Sequence, residues 1–65
     1  GERMSSHNGR EFGLILDGEL EVELGFETLK LSTGDSIVFD SMTPHRLTNN
    51  TTTPMRALWV VLNQS

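Results

Sequence analysis

The six residues from Glu19 to Leu24 alternate strictly between glutamate and an aliphatic side chain, and a glycine lies on either side of them. Successive side chains of a β-strand point to opposite faces, so this pattern predicts a strand with one aliphatic face and one water-facing face of glutamates. A helix would distribute the aliphatic residues around its axis, because its repeat is 3.6 residues. This segment therefore constrains the chain to a fold built from sheets.

Short strands separated by glycine or proline turns are predicted along the rest of the chain. Residues 12–16 are apolar at both odd-numbered and even-numbered positions, which is typical of a strand covered on both faces. Asp17-Gly18 is a hairpin signal and Gly25 closes a second turn, so the first three strands are expected to form an antiparallel meander. Further strands are predicted at residues 26–31, 36–39, 45–49 and 55–62. About six short strands and no helix indicate a small all-β sandwich or barrel.

The length of the chain limits its core. A chain of 65 residues forms at most one domain, here residues 1–65, and buries only about 60% of the surface that its unfolded form exposes. It has no cysteine, which excludes disulfides and thiolate metal sites. Support is then expected from a metal, from a second subunit in a homodimer, or from a longer parent chain of which this is a core fragment.

Charge and hydropathy exclude several classes of partner. The net charge is −4 and the five basic residues are scattered, so this segment is not expected to bind nucleic acid directly. No apolar run is long enough to span a bilayer, and the N-terminal residues lack the apolar centre of a secretion signal. A cytoplasmic protein without membrane contact is therefore expected.

Two separated segments carry the histidines of the chain. His7 and Glu11 are four residues apart, so on an extended strand they point to the same face. His45 is the only other histidine, and Pro44 before it suits the start of a strand because proline cannot donate a ladder hydrogen bond. If the two strands are neighbours, two imidazoles and one carboxylate converge, and this set suits a divalent transition metal. An ordinary polar pair at a strand end is the alternative.

The spacing of these residues resembles the two motifs of the cupins, which are small antiparallel β-barrels of jelly-roll type. The first cupin motif has histidine, three or four residues, glutamate, six residues and glycine. The second has glycine and, eleven residues later, histidine, then three residues and asparagine. The positions that fit are His7, Glu11, Gly18, Gly34, His45 and Asn49. The resemblance implies a cupin barrel, incomplete in this chain because a jelly roll has about eight strands.

The chain also departs from the cupin pattern. Ser5 stands where the family has the first histidine of its metal site, and Asp40 and Met42 replace a proline and a glycine of the second motif. By resemblance the metal ligands are His7, Glu11 and His45, which can hold Fe, Mn, Zn or Ni with open positions for water or a ligand. A degenerate site that binds no metal is the second interpretation.

Three longer sequence segments, residues 11–22, 34–41 and 44–49, resemble the C-terminal cupin domain of bacterial helix-turn-helix transcription regulators. That resemblance implies a domain that binds a small-molecule ligand, and it favours a sensor over an enzyme without deciding between them; no catalytic residue is assigned. The predicted ligand-binding residues are Ile15, Leu20, Val22, Leu47 and Asn49. The alternatives are a small stand-alone metal-dependent enzyme, a dioxygenase or isomerase, and a pure dimerisation element that pairs through residues 12–16 and 58–62.

Overall fold

The computed structural model describes residues 9–63. Six strands account for its regular structure, and no helix occurs between residues 9 and 63, which confirms the all-β prediction. A helix able to cross a membrane is accordingly not found in that part of the chain. The strands are β1 (Arg10–Asp17), β2 (Glu19–Leu24), β3 (Glu27–Ser32), β4 (Ser36–Asp40), β5 (His45–Thr48) and β6 (Arg56–Leu62).

The strands form two antiparallel sheets of three strands each. One sheet has the order β4-β1-β6 and the other has the order β3-β2-β5. Side chains from both sheets meet in a core of Ile15, Leu20, Val22 and Leu31, with exposures from 0% to 8%. This two-sheet, antiparallel arrangement confirms the predicted jelly-roll type of fold.

The central strand of the second sheet has the predicted alternation. Leu20 and Val22 are buried in the core, whereas Glu21 and Glu23 lie on the other face. Glu23 accepts two hydrogen bonds from Nη2 of Arg46 on β5, at 2.7 and 2.8 Å. The outer face of this sheet is therefore a polar surface with a partly exposed ion pair.

The predicted meander is wrong in its first hairpin. β1 pairs with β4 and β6, and β2 pairs with β3 and β5, so the chain changes sheets at Gly18 instead of folding back. A two-residue type I′ turn needs positive φ at both central residues, and only Gly18 has it, at +95°. Gly18 donates to Oγ1 of Thr33 at 3.0 Å, and Ile15 exchanges backbone hydrogen bonds with residues 34 and 35. The second predicted hairpin, between β2 and β3, is confirmed.

Candidate functional site

A carboxylate from one sheet and an imidazole from the other meet in the interior between the two sheets. Glu11 is the second residue of β1, and its partners across the sheet are Phe39 of β4 and Val61 of β6. His45 is the first residue of β5, opposite Leu24 of β2. Each of the two side chains is only about 5% exposed, and Nε2 of His45 lies 3.1 Å from Oε2 of Glu11. This contact joins the two sheets.

The orientation of Glu11 depends on a tryptophan from the neighbouring strand. Nε1 of Trp59 donates a hydrogen bond to Oε1 of Glu11 at 2.8 Å. Trp59 is the cross-strand partner of Gly13, and its indole ring covers the position that a Cβ atom at Gly13 would occupy. A glycine at this place in β1 is therefore required because only a residue without a side chain leaves room for the ring.

The imidazole of His45 is oriented on its other side by the backbone. Nδ1 of His45 lies 2.8 Å from the carbonyl oxygen of Thr43. Since a carbonyl oxygen only accepts, Nδ1 carries the hydrogen and donates it. The ring of Phe39 lies 5.0 Å from the ring of His45 and 6.3 Å from that of Trp59, in tilted contacts. These contacts direct Nε2 toward Glu11.

The donor and acceptor roles define what this pair can hold. When Nδ1 of a neutral His45 donates to Thr43, Nε2 presents a lone pair, and a carboxylate of Glu11 also presents lone pairs. Two acceptors in contact require a cation between them, either a proton or a metal ion. The observed separation of 3.1 Å is that of an ordinary imidazole–carboxylate contact. The metal alternative is therefore argued from the types of donor atom, since an imidazole nitrogen and a carboxylate oxygen both suit a divalent ion.

The outer contacts of the pair also fit a metal site. Histidines that bind metals usually donate their second ring nitrogen to a carbonyl or carboxylate, and carboxylate ligands are themselves hydrogen-bonded. Thr43 supplies the first of these contacts and Trp59 the second. Two protein ligands alone are too few for a closed site, because known zinc sites have three or four.

Of the three predicted metal ligands, the structure places Glu11 and His45 in contact, and His7 lies outside the described residues. Within residues 9–63, no group of three or more His, Cys, Asp or Glu side chains is arranged to hold a metal ion. Metal binding by His7, Glu11 and His45 accordingly stays a prediction.

The predicted ligand-binding residues occupy three different environments. Ile15, Leu20 and Val22 are packed together in the core, and Leu47 packs against them while partly buried. Asn49 lies in the exposed loop after β5, where its amide nitrogen donates to the carbonyl oxygen of residue 53 and its amide oxygen accepts from residue 51. Their contact with a ligand stays a prediction.

Sequence patterns did not identify three residues that support the pair, Phe39, Thr43 and Trp59. Trp59 is the sole tryptophan of the chain, and it lies in a strand whose partner carries the interior glycine Gly13. An isolated glycine within a strand is a recognised sign of close approach by another group. The glycine within a strand and the single tryptophan were therefore the sequence signals for this contact. Only the strand register shows that Gly13 and Trp59 face each other.

Comparisons with known proteins give one result. A family model described as "Cupin domain" matches residues 1–61, which is nearly the whole chain. No curated protein and no solved structure gives a significant match to it.

Proposed function

Because the chain belongs to the cupin family, we propose that it senses a small molecule and is the sensor part of a transcription regulator. The ligand binds at the Glu11–His45 pair, either directly or through a divalent metal that His7 helps to hold. Binding there alters the contact between the two sheets and so the domain's interaction with a DNA-binding partner domain. Such coupling requires that the ligand bind the two states with different affinity.

The observation that carries this proposal is the buried polar contact between Glu11 and His45. The transfer of a carboxylate and an imidazole into a protein interior is costly, and replacement by apolar residues is often neutral or stabilising. An apolar pair of similar volume would therefore stabilise so small a core at least as well as Glu11 and His45 do. A binding role explains the presence of the polar pair, because contact with a ligand or a metal needs oriented donors and acceptors.

The sensor function is favoured over an enzyme by the groups that surround the pair. Both ring nitrogens of His45 are engaged, one by Thr43 and the other by Glu11. Ser41 is a buried hydroxyl of this region, and among residues 9–63 its Oγ has no hydrogen-bond partner that could activate it. The resemblance of residues 11–22, 34–41 and 44–49 to regulator sensor domains favours the same choice.

If a metal is bound, Glu11 and His45 provide two of its ligands, and the metal contributes Lewis acidity toward an oxygen or nitrogen of the ligand. Thr43 keeps the imidazole in the tautomer in which Nε2 carries the lone pair, and Trp59 holds the carboxylate. Phe39 limits water on one side of the ring. These functions belong to the chain whether the ion is present or the ligand binds directly.

Trp59 provides the test, because the sole tryptophan of the chain contacts the proposed site. The protein is titrated with Mn²⁺, Fe²⁺, Zn²⁺ and Ni²⁺ and then with a library of small metabolites, while tryptophan fluorescence and heat are recorded. Glu11→Gln and His45→Gln are compared with Glu19→Gln, which changes an exposed glutamate on β2. We expect saturable binding to the wild type and Glu19→Gln, and a loss of at least about tenfold in the two site variants.

Two results would contradict the proposal. One is an absence of any saturable response to the four ions and the metabolite library. The other is equal binding by the wild type, Glu11→Gln and His45→Gln. Turnover of a bound metabolite that depends on both side chains would instead establish the enzyme alternative.

A further inference from the structure

Ser41 is a buried hydroxyl near the Glu11–His45 pair, and the contacts described above leave it unused. Its backbone N–H donates to the carbonyl oxygen of Gly9 at 2.8 Å, which extends the pairing of β4 with β1 by one position. Its side chain has an exposure of 0%, and its Oγ has no hydrogen-bond partner among residues 9–63. Both a donor and an acceptor are therefore held in the interior without a protein partner from this part of the chain.

The strand pairing places Ser41 on the inner face of its sheet. Phe39, two residues before it, is buried and pairs across the sheet with Glu11, whereas Val38 and Asp40 are exposed on the outer face. Side chains two residues apart share a face, so Ser41 points to the interior as Phe39 does. Diagonal neighbours on antiparallel strands are about 7–8 Å apart, which is within reach of a long side chain. The hydroxyl of Ser41 is therefore one row along the sheet from the carboxylate of Glu11.

A fully buried hydroxyl without a partner destabilises a fold, because the group has lost its hydrogen bonds to water and gained none in exchange. Buried polar groups in native proteins nearly always have a partner, which is a protein group, an ordered water molecule or a ligand. Alanine in place of Ser41 would avoid this cost at a similar volume. A polar group of a bound molecule would supply the missing partner.

The strands thus bring three hydrogen-bond acceptors to the same part of the interior. Oε2 of Glu11 and Nε2 of His45 are 3.1 Å apart, and Nε2 has a lone pair because Nδ1 donates to Thr43. The hydroxyl oxygen of Ser41 is the third acceptor. A primary ammonium group has three N–H donors and one positive charge. It therefore matches these groups both in the number of acceptors and in the charge of the carboxylate.

The surroundings of the three acceptors favour a cationic ligand. The four basic residues within 9–63 lie elsewhere, since Arg46 binds Glu23 at 2.7 Å on the outer face and the other three are exposed. Aromatic rings, which attract cations, lie beside the carboxylate: Phe39 is 5.0 Å from the ring of His45 and 6.3 Å from that of Trp59. An anionic ligand would instead be repelled by the carboxylate.

We propose that the ligand of this domain is a small molecule with a primary ammonium group, and that Ser41 binds this group together with Glu11 and His45. This inference rests on the function proposed above, because it names the ligand class for the same site. The ammonium group occupies the place between Glu11 and His45 that a proton or a metal ion otherwise takes. Ser41 accepts the third hydrogen and so distinguishes a primary amine from an amine that carries methyl groups instead of hydrogens.

Three probes of similar shape test the ligand class: n-butylamine, n-butyltrimethylammonium and n-butanol. The first has a charge and three N–H groups at neutral pH, the second has a charge and no N–H group, and the third has one O–H group and no charge. Each is titrated against the 65-residue chain in the presence of a metal chelator, while Trp59 fluorescence and heat are recorded. We expect saturable binding of n-butylamine, at least about tenfold tighter than binding of either analogue. Absence of n-butylamine binding, or equal binding of n-butyltrimethylammonium, would overturn the proposal.

Ser41→Ala and Ser36→Ala are the matched variants, because Ser36 is an exposed serine at the start of β4. We expect Ser41→Ala to weaken n-butylamine binding at least about tenfold while its urea midpoint stays at or above that of the wild type. Ser36→Ala is expected to change neither quantity. Unchanged affinity in Ser41→Ala would overturn the role of Ser41, and so would a large fall in its urea midpoint, which would show that the hydroxyl supports the fold.

The results also separate this inference from the proposed sensor function. Binding of a metal ion or of another metabolite that Glu11→Gln abolishes, together with no response to n-butylamine, would leave the sensor function standing and reject the amine ligand. Binding of n-butylamine that Glu11→Gln leaves unchanged would place the amine away from the pair, and would reject the three-acceptor site.

Discussion

Replacement of Glu11 by alanine is expected to lower the free energy of unfolding by about 3 kcal/mol, because it breaks a buried contact between the two sheets. The carboxylate accepts a hydrogen bond from Trp59 and faces Nε2 of His45. Removal of the carboxylate deprives Trp59 and His45 of their contacts with Glu11 and leaves a cavity beside Phe39.

The magnitude follows from the surroundings of each partner. A hydrogen bond to a charged group contributes about 1.5–3 kcal/mol, and an orphaned buried polar group costs about 1–3 kcal/mol. Trp59 is half-buried, so water can replace part of its lost contact. His45 is only 5% exposed and cannot be hydrated in this way. These opposing conditions put the expected loss at the lower end of the roughly 3–5 kcal/mol measured for broken buried ion pairs.

Glu11→Gln is the matched variant because it keeps the shape of the side chain. Its amide oxygen can accept from Trp59, and its amide nitrogen can donate to the Nε2 lone pair of His45. Both contacts survive without a charge, so the expected loss is less than about 1 kcal/mol. The same variant lacks a carboxylate for a metal ion, which separates the structural contribution of Glu11 from its proposed role in binding.

Urea and thermal denaturation, followed by far-UV circular dichroism and by Trp59 fluorescence at matched protein concentration, measure these values. For a domain of this size, about 3 kcal/mol corresponds to a decrease in Tm of roughly 12 °C or more. The reasoning is refuted if Glu11→Ala unfolds within about 0.5 kcal/mol of the wild type, or if Glu11→Gln loses as much stability as Glu11→Ala.

Three further substitutions have defined outcomes. Gly13→Ala is expected to displace the indole of Trp59 and shift its fluorescence to longer wavelength, and an unchanged emission spectrum would contradict the contact. Val22→Ala is expected to cost about 2–3 kcal/mol in urea denaturation because Val22 is fully buried, and a loss below about 0.5 kcal/mol would show that the core closes over the cavity. Gly34→Ala is expected to cost about 1 kcal/mol without any steric contact, because Gly34 has φ of +91° and open space around it, so equal stability would contradict a backbone effect.

Local patterns predicted the strands well because each pattern depends on neighbours in the sequence. Alternation identified β2 and its buried face, and the turn at Gly25 located the hairpin to β3. The spacing of Glu11 and His45 within two motifs indicated that they belong together. In each case the information lies within a few residues, or in a spacing that the family resemblance supplied.

The pairing of strands was decided by the tertiary structure. Asp17-Gly18 has the composition of a hairpin, but β1 has β4 on one edge and β6 on the other, so pairing with β2 would displace one of these two strands. A dipeptide can bend the chain in several directions, and the choice depends on strands that lie 18 to 45 residues away. Hydrogen bonding of both edges of β1 outweighs the local preference.

What the sequence by itself determined is the list of strands, the inward face of β2 and the residue types of the candidate site. Tertiary structure alone decided that Trp59 lies over Gly13 and holds Glu11, and that one sheet keeps an exposed apolar face. The physical reason is that strand alternation depends on backbone geometry within one segment, whereas register and sheet membership depend on hydrogen bonds and burial between distant segments. An apolar run such as residues 12–16 indicates that both of its faces are to be covered, and only the assembled sheets reveal which face the chain itself leaves open.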